Sequence, residues 1–118
     1  MRIKSSIWVK GYIRRCAVAG VAAMVVRHGD DDAGTVFVRV NRLDGTSRLY
    51  GPAPAGLMGA ETERQWVPCL DSKGVADKVI DDFLFREWEF DPDIWVVEVE
   101  DRAGRHFLDG WLAEAAPD

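Results

Sequence analysis

Apolar positions along the chain change their period several times, and each change marks an element. From Val75 to about Glu89, the residues Ala76, Val79, Ile80, Phe83, Leu84 and Trp88 recur at helical spacing and line one face, while Asp77, Asp81 and Asp82 gather toward the N-terminal end, where the helix dipole favours acids. Asp91-Pro92 closes this helix, because the residue before a proline is pushed out of helical backbone angles. Near the start of the chain, Ile7, Gly11, Arg14 or Arg15 and Val18 keep the same spacing. Ser5 or Ser6 can cap a helix that runs to about residue 18, with Gly20 as its stop.

Elsewhere the period is two. VAAMVVRH and TVFVRVNRL are rich in β-branched residues, and in the second Val36, Val38 and Val40 alternate with Phe37, Arg39 and Asn41, giving one apolar and one mixed face. Asp44-Gly45 tolerates the two positive-φ positions of a tight hairpin, so this strand should return directly as the next, SRLY. QWVPCL reads as an edge strand, because Pro68 has no N–H to give a central ladder. In DIWVVEVED, Trp95, Val97 and Val99 share one face, and Ile94, Val96, Glu98 and Glu100 share the other. DRAGRHF supplies a turn at Gly104, and FLDGWLAEA suggests a short C-terminal helix weakened by Gly110. Between the first two strands, RHGDDDAG reads as a hairpin connection: its glycines permit positive φ and its aspartates accept bonds from their own backbone. The expected architecture is α+β, a two-layer sandwich in which an antiparallel meander carries the N-terminal helix and the 75–89 helix on one face, in the order α-β-β-β-(β)-α-β.

The length of 118 residues fits one domain spanning 1–118, and 47% apolar with 30% charged residues fits a globular protein. Charge changes the picture more. Residues 1–27 hold Arg2, Lys4, Lys10, Arg14, Arg15 and Arg27 and no acid, so a segment of +6 precedes one of −11 in a chain of net charge −5. A basic helix lying on an acidic body is the simplest expectation, and the acidic balance argues against a general nucleic-acid binder. Cys16 and Cys69 form no C-x-x-C pair, and with His28 and His106 they are scattered singly, so neither a disulfide framework, a metal site nor a cofactor is expected. The apolar run at residues 16–26 is too short to cross a bilayer and continues into a strand, so a cytoplasmic protein with no membrane role is expected.

Several phrases occur together: IKSSIWV, RHGDDDAG, VNRLDG, LYGPAP and FDPDIWVVEVEDRAGRHFLD. In them the chain, from about Met1 to Asp109, resembles the alphaproteobacterial domain-of-unknown-function family 1491. Where that family more often has a proline among the acids, this chain has Asp31. The resemblance implies a cytoplasmic bacterial protein and a stand-alone domain, and brings no catalytic residue or cofactor with it.

Candidate chemistry is sparse. A calcium loop starting at Asp30 would need an acid or amide, then glycine, then glutamate at positions held by Gly34, Thr35 and Asn41. Glu98, Glu100 and Asp101 could pair as catalytic carboxylates, but cross-strand Arg39 or Arg48 accounts for them on the polar sheet face. Asp101 and His106 are candidate acid-base residues, although no G-x-S-x-G elbow accompanies them and His106, like His28, fits a packed turn histidine. A pocket under the 51–64 loop could draw on Tyr50, Leu57, Met58 and Trp66. On the first helix, Lys10, Arg14 and Arg15 beside Trp8 and Tyr12 could meet RNA, anionic lipid or an acidic partner, or could simply lie against the acidic 75–89 helix. The favoured expectation is a non-enzymatic interaction module whose partner is a protein or a second copy, with Trp8, Arg14, Arg15, Tyr50 and Trp66 as candidate contacts. A small hydrolase or ligand-binding enzyme and an RNA binder are the alternatives.

Overall fold

The computed structural model describes residues 3–54 and 64–113. Its elements are α1 (Ser5–Val18), β1 (Ala23–Arg27), β2 (Val36–Asn41), β3 (Thr46–Pro52), β4 (Trp66–Cys69), β5 (Val75–Ala76), α2 (Asp77–Phe90) and β6 (Trp95–Glu100). The expected helix-and-sheet class and order of elements are therefore present, with β5 as a short addition before α2.

The sheet runs β1-β6-β2-β3-β4, and β5 pairs beside the start of β3. It is mixed rather than a plain antiparallel meander, because β6 enters between β1 and β2, antiparallel to the first and parallel to the second. Residues 94–97 and 99 of this region are buried, and a strand apolar on both faces belongs inside a sheet rather than at its edge.

RHGDDDAG is therefore not a hairpin connection; it passes across the end of β6 to bring the chain from β1 to β2. Its glycines serve close approach instead of turning. Neither Gly29 nor Gly34 has φ in the left-handed region, but a Cβ at either would overlap the Asp93 carbonyl. Within the loop, Asp30 Oδ2 accepts the N–H groups of Asp32 and Ala33 at 3.2 and 2.9 Å, and the Trp95 indole N–H donates to the Asp30 carbonyl at 2.7 Å. The loop also caps α1: the N–H groups of Ser5 and Ser6 donate to the Asp32 and Asp31 carbonyls at 3.2 and 3.0 Å. Neither serine side chain is the cap, since the N-cap position is Lys4 and the Ser5 hydroxyl donates to the Gly34 carbonyl at 2.6 Å.

Gly20 ends α1 as expected, with φ 78° and with paired bonds from its own N–H to Ala17 and from Val21 N–H to Cys16. The β2–β3 hairpin is present as well. Its positive-φ residues are Leu43 and Gly45 rather than Asp44 and Gly45, because the loop is longer than two residues and closes with Arg42 N–H on the Thr46 carbonyl. The C-terminal segment forms no helix up to Ala113: Gly110 sits at φ 88°, and the chain instead bridges Leu112 to Trp66 along the β4 edge.

The two helices lie on opposite faces of the sheet, not together on one. Trp8, Val9, Tyr12 and Cys16 of α1 pack with Val36, Val38, Val40, Trp95, Val97 and Val99. Ile80 and Leu84 of α2 pack with Phe37, Leu49, Ile94 and Val96, which alternate with the first set and so point the other way. Phe37 and Val96 supply apolar side chains to a face that a half-polar reading would have left to solvent. The sheet therefore separates α1 from α2, and the basic side chains of α1 do not lie against the acidic helix as the charge pattern suggested.

Candidate interaction surface

The aromatic residues named as candidate contacts are buried. Trp8, Tyr50 and Trp66 are each 2% exposed, and the Trp8 ring stacks on Trp66 at 4.1 Å and on Tyr12 at 5.0 Å. The Trp66 indole N–H donates to the Val36 carbonyl at 2.8 Å, and the Tyr12 hydroxyl donates to the His106 carbonyl at 2.5 Å. Burial pushes the Tyr12 hydroxyl far above its ordinary pKa, which suits a permanent donor. Arg14 and Arg15 are exposed. Arg15 lies 3.7 Å from the centre of the Trp111 ring and donates to the Phe107 and Asp109 carbonyls at 3.2 and 2.8 Å, tying α1 to the C-terminal segment.

Asp101 and His106 each have structural partners. Both Asp101 oxygens are held by Arg105, with Nε at 3.0 Å and Nη2 at 2.9 Å, and the Arg105 backbone N–H adds a third bond at 2.8 Å. The Arg105 side-chain hydrogen bonds hold the Asp101 carboxyl below the usual carboxylate range. His106 Nδ1 accepts the Leu108 N–H at 2.8 Å, which places the imidazole proton on Nε2, and burial lowers its pKa. The ring meets Tyr50 edge-on at 5.3 Å. The proposed pocket under the 51–64 loop, with Leu57 and Met58, falls on residues 55–63, outside the described residues.

A charged cluster forms where β2, β6 and α2 meet. Arg39, 9% exposed, contacts Asp81 Oδ1 at 2.5 Å, Asp77 Oδ1 at 3.2 Å and Glu98 Oε1 at 3.6 Å. Burial works against its charge, but Asp81, Asp77 and Glu98 outweigh it and raise the Arg39 pKa. The expected Arg39–Glu98 contact is thus present, as their register predicts, since the two residues are parallel neighbours. The contribution of α2 was missed: Asp77 and Asp81 are four apart and so share a face, and here that face meets Arg39.

Beside this cluster lies the edge of the sheet. The β4 edge is met by residues 111–113, with Trp66 N–H on the Trp111 carbonyl and Ala113 N–H on the Trp66 carbonyl, both at 2.9 Å. At the other edge, no described residue pairs with the outer side of β1. Glu100 N–H donates to the Ala22 carbonyl at 3.0 Å, which sets the alternation: Ala22 and Met24 face β6, and Ala23 and Val25 turn their N–H and C=O groups outward. Val26 is the extra residue of a bulge between Val25 and Arg27. Met24, Val25 and Val26 are 42%, 39% and 58% exposed, and Phe85 of α2, 55% exposed, stands beside Val26. The groove between β1 and α2 is lined by Val26, Leu84, Phe85 and Val96 together with Arg27, Arg39, Asp81 and Glu98.

Known proteins of the same shape exist. A crystal structure of a DUF1491 family protein from Caulobacter crescentus is 43% identical over 90% of this chain and 94% of its own, with a TM-score of 0.75. The solution structure of protein Atu0922 from A. tumefaciens is 36% identical, covers 100% of both chains and has a TM-score of 0.79. No curated protein matches the chain. The model of the family described as a protein of unknown function matches residues 3–109, so the chain belongs to the DUF1491 family.

Proposed function

We propose that the protein is a non-enzymatic interaction module that adds an extended segment of a partner protein to the open edge of β1. The observation that carries this reading is the pairing of outward-facing backbone groups at Ala23 and Val25 with exposed apolar side chains at Met24, Val25 and Val26. Folded proteins usually blunt such edges with proline, lysine or a covering segment, as the β4 edge here is met by residues 111–113. Strand addition supplies backbone bonds for affinity and side-chain contacts for selectivity.

The test is a titration of isotope-labelled protein with a capped peptide of alternating threonine and valine. Amide shifts concentrated in β1, with slowed hydrogen exchange at Ala23 and Val25, are expected. Val25→Pro removes an outward N–H at an edge position that proline tolerates, so it should abolish the shifts and change stability by only about 1 kcal/mol. Shifts spread evenly over the molecule, or shifts that survive Val25→Pro, overturn the reading.

A second reading, RNA binding through α1, is favoured by the exposure of Lys10 and Arg14 on the sheet face away from α2. It predicts binding of a single-stranded RNA at low salt that falls steeply as salt rises and is lost in Lys10→Glu/Arg14→Glu; absence of binding at low salt ends it.

A further inference from the structure

Resting on the strand-addition reading, we infer that the groove between β1 and α2 receives a lysine or arginine side chain from the incoming strand. The groove holds about 200 Å³. Small-molecule sites enclose roughly 300–1,000 Å³, so this volume suits a single long side chain better than a free ligand. Its Val26, Leu84, Phe85 and Val96 side chains match the methylene stem of a basic residue, and its Asp81 and Glu98 carboxylates match the charged head.

Charge decides between a basic and an acidic visitor. Asp77, Asp81 and Glu98 share Arg39, and Arg27, which also lines the groove, stacks on Trp88 with its guanidinium 4.4 Å from the ring centre. The groove lining itself pairs Asp81 and Glu98 with Arg39 and Arg27, and Asp77, which contacts Arg39 from outside the lining, adds a third carboxylate to the surrounding cluster. Among the described residues Glu98 makes only long contacts, 3.6 Å to Arg39 and 3.5 Å to Asn41, so its oxygens keep room for another donor. The flank agrees: α2 carries Asp77, Asp81, Asp82, Glu87 and Glu89 against Lys78 and Arg86. Register also agrees, because Glu98 lies opposite Met24. A strand added outside β1 would place its residue beside Met24 about two strand spacings, roughly 10 Å, from the Glu98 backbone. An extended lysine or arginine reaching toward the Glu98 side chain covers that distance.

Three capped peptides of alternating threonine and valine, identical except for lysine, norleucine or glutamate at the centre, separate the two claims. The lysine peptide should bind about fivefold more tightly than norleucine and glutamate should bind most weakly, with the lysine advantage shrinking as salt rises. Glu98→Gln and Asp81→Asn should each reduce the advantage to about twofold; should Glu98→Gln unfold, Asp81→Asn, whose side chain is 61% exposed, carries the comparison. Equal or tighter binding of the norleucine peptide overturns recognition of a cation while leaving strand addition standing. Absence of β1 shifts with all three peptides overturns both.

Discussion

Arg39 illustrates what a single residue decides in this protein. Its side chain is 11% exposed and is held among Asp77, Asp81 and Glu98. Arg39→Met would leave those carboxylates facing one another without their shared cation, and should cost about 2–4 kcal/mol in urea unfolding at neutral pH; a change under about 0.5 kcal/mol would show that solvent screens the cluster. Asp101 makes a pH-dependent contribution. Because Arg105 depresses its folded pKa, the stability it adds is fully present above the ordinary carboxylate pKa of about 3.9 and is lost as pH falls from there through the folded value. Asp101→Asn should therefore lower stability by about 1 kcal/mol at pH 7, with the difference from the parent vanishing in strong acid. A constant difference at every pH would mean that packing, not charge, is lost. Gly34→Ala places a methyl against the Asp93 carbonyl and the Asp30 backbone, and should cost about 1–3 kcal/mol by thermal unfolding. At this scale the sequence was informative about chemistry and less so about cause. It marked both loop glycines, but as sources of positive φ, because nothing local reveals that another strand's backbone will pass beside them.

At the scale of elements, periodicity located both helices closely: residues 75–89 against Asp77–Phe90, and a start at Ser5 or Ser6 running to about residue 18 against Ser5–Val18. Apolar side chains repeating at 3.6 residues encode an element without reference to its neighbours. The ends of α1 divide instructively. Gly20 could be read as a stop because a left-handed cap is a local property of the backbone. The cap at the start could not, because its N–H groups are satisfied by the carbonyls of Asp31 and Asp32, far along the chain. The place of β6 was also hidden. Ile94, Val96 and Glu98 on one face looked half-polar, and only the packing of Ile94 and Val96 against Ile80 and Leu84 makes the strand interior. The candidate surface follows from that placement, since insertion of β6 leaves β1 as the outer strand.

For the whole molecule, one sheet serves two apolar layers. Val97, 0% exposed and paired with both Val25 and Val38, packs in the layer under α1 on a central strand whose other face carries the α2 layer. Val97→Ala should cost about 2–3 kcal/mol and speed amide exchange in α1 and α2 together, as measured by hydrogen exchange; faster exchange in α1 alone would show that the layers open separately. The same layering keeps the basic side chains of α1 away from the acidic helix, while Arg27 of β1 meets α2 at Trp88. By itself the sequence determined the helix-and-sheet class, the order of elements, the β2–β3 hairpin and membership of a family without an assigned function, because each depends on local spacing or distributed identity; it left the arginine partner of the β6 acids open between Arg39 and Arg48. Only the tertiary structure decided strand order, the face each helix covers, which tryptophans are buried and that β1 is an outer strand with no pairing partner beyond it among the described residues. Those depend on how apolar surfaces from distant segments compete for the same partners, and that competition is settled only when the chain closes on itself.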